Sequence, residues 1–236
     1  MPRCLTKGGI AGIDWRVRRH PPLHLLAALA AACGIACAAE PAPAAPAEPE
    51  AEVIAEPVPP QAIAGAVAAV AKLGEEVVLG RYQVAIERMN PIWKERTANR
   101  MGGMDKLEKQ LAGVAAQMVR QGVSMISFKP QGRPVAYEVS PGRKVVRESG
   151  RDVERMVFTK WMVLVPTVTR FRIMQEGNPR PIVIESTGFQ VAISDKDKND
   201  WTFIDGSGLK PGDLRGVFIT LPQDMELPEV SRREVR

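Results

Sequence analysis

The sequence predicts an α+β domain in which a set of helices precedes an antiparallel sheet. Two periodicities carry that prediction. Apolar residues recur every three to four positions between Gln61 and Gly122, and from Val123 the recurrence falls to two. Helical and strand-like segments are therefore grouped, not alternated as in a parallel α/β sheet. A shift in composition marks where the domain begins. Residues 1–39 hold five basic side chains and one acid, whereas Glu40–Pro60 holds five acids and no base. The expected organisation is a targeting segment over 1–39, an Ala/Pro/Glu linker over 40–60 and one domain over 61–236.

The first helix follows from Ile63, Val67, Val70, Leu73 and Val77, which step by three or four and line one face, with Gly80 as its stop. Tyr82–Met89 is a short second helix, broken at Asn90-Pro91. Pro91 suits the first turn of a third, which runs through Trp93 to about Arg100 before Gly102-Gly103. Asp105 and Glu108 have the spacing of a capping box, and Leu107, Leu111, Val114, Met118 and Val119 form the expected buried stripe of a fourth helix ending at Gly122.

Strands are expected at Val123–Lys129, Pro134–Val139, Val153–Leu164, Thr167–Met174, Ile182–Ser194 and Trp201–Asp205. Pro166 divides two of them and suggests a bend or an edge. Within Ile182–Ser194 the apolar parity switches from even (Ile182, Ile184) to odd (Phe189, Val191, Ile193). A β-bulge near Gly188 would keep both sets on one face and bend the strand, as a strongly curved sheet requires. The polar run Asp195–Asp200 is the turn into the last strand. No repeat of twenty to fifty residues occurs.

The N-terminal segment reads as a signal peptide. A basic region ends at Arg19-His20, an uncharged apolar stretch spans Leu23–Ala39, and Ala36-Cys37-Ala38 supplies a small-residue cleavage site. Cys33 and Cys37, each preceded by small residues, offer the alternative of lipid attachment as in bacterial lipoproteins. The linker has too few large apolar residues to offset the entropy of ordering it and reads as a disordered spacer. The expected location is extracytoplasmic, with membrane contact only through a lipid anchor.

All three cysteines and both histidines fall within residues 1–39. From Glu40 onward no Cys/His metal site, disulfide or His-assisted nucleophile can be built, and no metal or cofactor is expected. The formal charge of +5 belongs mostly to the targeting segment, since 27 basic and 26 acidic residues follow it. Nucleic acid is therefore not an expected partner.

The remaining motifs have plain structural readings. Asp195-Lys196-Asp197-Lys198-Asn199 alternates oxygen side chains as calcium loops do, but the sixth position is Asp200 and the twelfth Gly206. Lys72-Leu73-Gly74 and Gly206–Lys210 lack the spacing of a phosphate loop, and no G-x-S-x-G elbow is present. Arg170 and Arg172 alternate with Thr169, Phe171 and Ile173, as the wet face of a strand would. Acid–base chemistry would fall to Asp205 or Tyr137, with Glu138, Glu185, Tyr82 and Lys160 behind them. Trp161 is a strand-core residue or the wall of a ligand pocket.

Three features together carry a family resemblance: Trp201–Gly206 after a polar turn; Gly80-Arg81-Tyr82 leading to Asn90-Pro91, Met101-Gly102-Gly103 and the helix to Gly122; and Leu221-Pro222 with Leu227-Pro228 in a short tail. Over Gln61–Pro228 the chain resembles exported bacterial proteins of the nuclear transport factor 2-like superfamily. The resemblance implies a cone, with helices packed on a strongly curved antiparallel sheet, a pocket inside it, and a homodimer formed through the sheet face. Enzymes of that superfamily use an Asp, Tyr or His inside the cone, and no complete enzyme motif is matched here. The expected function is a non-enzymatic extracytoplasmic domain that binds a small apolar ligand or a protein partner. The alternatives are a lyase or isomerase acting on a small apolar substrate, and an envelope-assembly protein.

Overall fold

Pro60 opens the first helix, where its missing N–H costs no hydrogen bond. The computed structural model describes residues 57–148, 150–174 and 180–235. The segment read as a signal peptide, most of the stretch read as a linker, and Cys33 and Cys37 with their lipid-attachment reading lie outside the described residues. Helix α1 (Pro60–Val78) buries Ala66, Val70 and Leu73. Val58 already packs beneath it, so packing begins inside the stretch read as linker. At Gly74 the helix rides directly on the sheet. A Cβ there would stand 2.2 Å from the Phe128 ring, so only glycine permits that approach.

Helix α2 (Gln83–Glu87) leads to α3 (Pro91–Met101), whose cap is Asn90. The Asn90 side chain accepts the Trp93 N–H (3.3 Å) and donates to Thr202 Oγ1 (3.1 Å). Gly102, at φ 83°, ends α3 in the left-handed conformation. Helix α4 (Met104–Arg120) departs from expectation at both its start and its face. Its cap is Gly103, and Asp105 lies in the first turn without capping it. Of the expected stripe only Leu107 is buried, while Val114 and Val119 are 48 % and 74 % exposed. The stripe is amphipathic in sequence, but α4 packs mainly against α3 and little of the stripe is covered.

The strands are β1 (Val123–Pro130), β2 (Val135–Glu148), β3 (Arg151–Ile173), β4 (Ile182–Asp195), β5 (Thr202–Asp205) and β6 (Ser231–Val235), with a short helix α5 (Pro211–Arg215) before the last. They form one antiparallel six-stranded sheet. The central strand β3 pairs with β4 on one edge. Its other edge is shared by β2 (to Leu164) and β1 (from Thr167). On the outer edge of β4, β5 pairs with Gln190–Ile193 and β6 with Val183–Thr187.

Three strand expectations are corrected. Pro166 does not divide a strand; β3 runs through it for 23 residues. The Gly206 N–H bonds to the Phe189 carbonyl, which turns that backbone toward β5. The Pro166↔Phe189 pair therefore needs no bond between β3 and β4, and proline's missing donor falls at the junction where β2 gives way to β1. No bulge interrupts β4, because its register with β3 is unbroken from Asp195 to Ile182. A register shift occurs instead on β1, between Met125 and Ser127. Finally, β2 continues past Val139 through a kink at Ser140 (φ 60°), whose carbonyl accepts the Thr159 hydroxyl.

Both faces of the central sheet are covered, which is why Trp161–Val165 reads as an unbroken apolar run. On one face α1 packs against Trp161, Val163, Val165, Ala192, Trp201 and Phe203. On the other, the segment after β5 brings Leu214, Phe218, Leu221 and Met225 over Met162, Leu164, Val191 and Ile204. Leu221 and Leu227, expected in a short tail, thus belong to a core. Among the described residues, no helix is long and apolar enough to cross a membrane.

Candidate functional site

Trp201 and Phe203 follow the β4–β5 turn at alternate positions, so both side chains reach the α1 face of the sheet. There Leu73 of α1 and Val84 of α2 join them under a cleft of about 470 Å³. Lys72, Glu76, Glu87, Arg88 and Asp200 stand around it. The walls are fixed by pairing at the rim: Arg88 to Asp200, and Arg81 to Glu76. Trp201 is held in place by its indole N–H, which donates to Asn199 Oδ1 (2.6 Å). The backbone of Arg88 and Asn90 brackets Phe203 through two 2.8 Å hydrogen bonds. The cleft volume lies within the about 300–1,000 Å³ typical of small-molecule sites, and an apolar floor under a charged rim suits an amphipathic ligand.

The residues singled out from sequence are placed apart. Asp205 lies on the α1 face, in a smaller cleft of about 220 Å³ at the other half of the sheet. Asp205 is exposed by surface area, while partial desolvation of its carboxyl raises its pKa. Hydrogen bonds from the Ser207 backbone, the Ser207 hydroxyl and the Gln190 amide oppose that rise. The Gln190 bond is 3.1 Å long. Tyr137 pairs with Met162 and so faces the opposite side of the sheet. Desolvation, then Asp224 and Glu226, push its phenol upward, so it stays neutral near neutral pH. With the sheet between them, Asp205 and Tyr137 do not form one acid–base site.

Trp161 is buried beneath α1 and lines none of the clefts described here. Lys196 lies over its ring at 4.3 Å and also pairs with Glu138, a cation–π contact beside a largely buried ion pair. Lys160 pairs with Asp195, and Lys198 does so at 3.2 Å; the first and then the second hold that carboxyl below the ordinary range. In the Asp195–Asp200 turn, Asp195, Asn199 and Asp200 all accept from protein donors. A solvated turn describes it better than a calcium loop, and no acidic, His or Cys cluster of metal-binding form occurs among the described residues.

Comparison with protein-family models, with curated proteins and with solved structures finds no match.

Proposed function

We propose that this protein is a non-enzymatic extracytoplasmic binding domain that takes a small amphipathic ligand in the cleft over Trp201 and Phe203. The observation that carries the proposal is the convergence of Leu73, Val84, Trp201 and Phe203 beneath a charged rim. Export rests on the basic and apolar segments of residues 1–39. The cone of the nuclear transport factor 2-like superfamily remains our proposal for the finer fold. It is supported by helices preceding an antiparallel sheet and by a cleft between the two. A homodimer is proposed on that resemblance alone, and sedimentation equilibrium tests it.

The probe for the cleft is anilinonaphthalenesulfonate, whose rings match the floor and whose sulfonate can meet Lys72 on the rim. It is expected to bind with one-to-one stoichiometry and enhanced fluorescence. Ala69 is half-buried against the cluster under α1 and lines the cleft, so Ala69→Trp fills it; with the far-UV spectrum and melting temperature retained, it should weaken binding by about tenfold or more. Equal binding by the variant and the parent would remove the cleft from the account.

A further inference from the structure

Gly188 sits in the middle of a 14-residue strand, where glycine weakens a sheet by adding backbone entropy and packing nothing. The usual structural reasons for a strand glycine do not apply to it. Its φ is not in the left-handed region. It marks no bulge, since Thr167↔Gly188 belongs to an unbroken register. Nor does it relieve crowding, because an added Cβ would meet nothing nearer than Thr167 Oγ1, at 3.9 Å. The remaining reason is that something outside the fold approaches the backbone there.

The surrounding face supports that reason. Under α1 the inward residues are Val163, Val165 and Ala192. Beyond the helix the same face continues as Thr167 and Thr169 on β3, and as Ser186, Gly188 and Gln190 on β4. Asp205 pairs with Gln190, and Phe128 of β1 pairs with Thr169, so both flank the same patch. These residues line the cleft of about 220 Å³.

We infer that this cleft is a second ligand site, distinct from the larger one, and that it takes a neutral polyhydroxylated ring such as a single sugar residue. Hydroxyl, amide and carboxyl groups there offer donors and acceptors in mixture, as a ring of hydroxyls requires. Asp205, Gln190 and Ser207 already pair with one another, so the Thr167 and Thr169 hydroxyls are the groups an apolar ligand would fail to satisfy. Phe128 and Phe171 give an apolar wall for the C–H face of such a ring. Arg232 is the lone base on the cleft, which argues against a phosphate. The volume falls below the about 300 Å³ of drug-sized sites and suits one ring.

The test is NMR titration of the folded domain with methyl glycosides of glucose, galactose and N-acetylglucosamine, and with the matching trisaccharides. The Gly188 backbone amide and the Gln190 side-chain amide should shift and saturate in the millimolar range for at least one sugar. A trisaccharide that binds more tightly assigns the site to a glycan chain; equal binding assigns it to a free sugar. Gly188→Val, a strand-favoured residue projecting into the cleft, should weaken binding at least about tenfold while anilinonaphthalenesulfonate binding at the larger cleft is unchanged. Thr169→Val removes one hydroxyl at nearly constant shape and should weaken it several-fold. Silent Gly188 and Gln190 resonances with every glycoside, or undiminished binding by both variants, would overturn the inference.

Discussion

Asp205 and Glu185 are acids on the same sheet with opposite effects on stability. Burial raises the pKa of Asp205 more than its Ser207 and Gln190 hydrogen bonds lower it. The folded protein therefore holds that proton more tightly than the unfolded chain does. The residue destabilises the fold above its folded pKa, and the penalty disappears as pH falls through that value and below the unfolded one, about 3.8. Asp205→Asn should accordingly raise the melting temperature at about pH 7 and leave it unchanged at about pH 3. An equal shift at both pH values would show that desolvation is not the cause. Asp205 was legible as a candidate only by residue type, in a domain without histidine, and its place before Gly206 reads first as a turn. Gly188 was legible only as an irregularity, because no periodicity tells a bulge from an opening above a flat strand.

Strand β6 shows the reverse sign. Its residues are mostly exposed, and it is joined to β4 by the ladder and by Glu185. That buried carboxylate accepts from Arg233 (2.5 Å) and Arg170 (2.8 Å), which hold its pKa below the ordinary range. The contribution is present above the unfolded value of about 4.5 and is lost as pH falls through the depressed one. Glu185→Gln should speed amide exchange at Ser231–Val235 at neutral pH, with little change in β3. In the parent protein, acidification through the depressed pKa should lower the protection factors of the same amides, measured against the slower intrinsic exchange at low pH. Unchanged exchange in the variant would show that the backbone ladder alone holds β6. The sequence did not announce this strand, since Ser-Arg-Arg-Glu-Val has no apolar alternation and its partners on β4 lie 44 to 52 residues away. Helix α4 was over-read for the converse reason: a strong stripe in sequence does not guarantee a surface to cover it.

For the molecule as a whole, the grouped order of helices and strands was legible, because period is a local property. The layering was not. Trp161–Val165 is apolar at every position, which signals burial on both faces without saying what covers them. The second cover comes from Leu214, Phe218, Leu221 and Met225, spaced at three and four but interrupted by Gly216 and Pro222, so their stretch reads as tail. Phe218→Ala should destabilise the domain by about 3–5 kcal/mol in urea titration, the loss expected for a core aromatic. A loss below about 1 kcal/mol would mean that the segment is an ornament on an already complete sheet.

Trp201 offers the most direct test of the binding proposal, because its indole N–H is fixed by Asn199 and its ring floors the larger cleft. The measurement is the Trp201 indole resonance during titration with anilinonaphthalenesulfonate. We predict a saturable shift that is lost in Ala69→Trp, with the Trp161 indole unmoved. Saturable binding of the probe that leaves the Trp201 resonance in place would contradict the account.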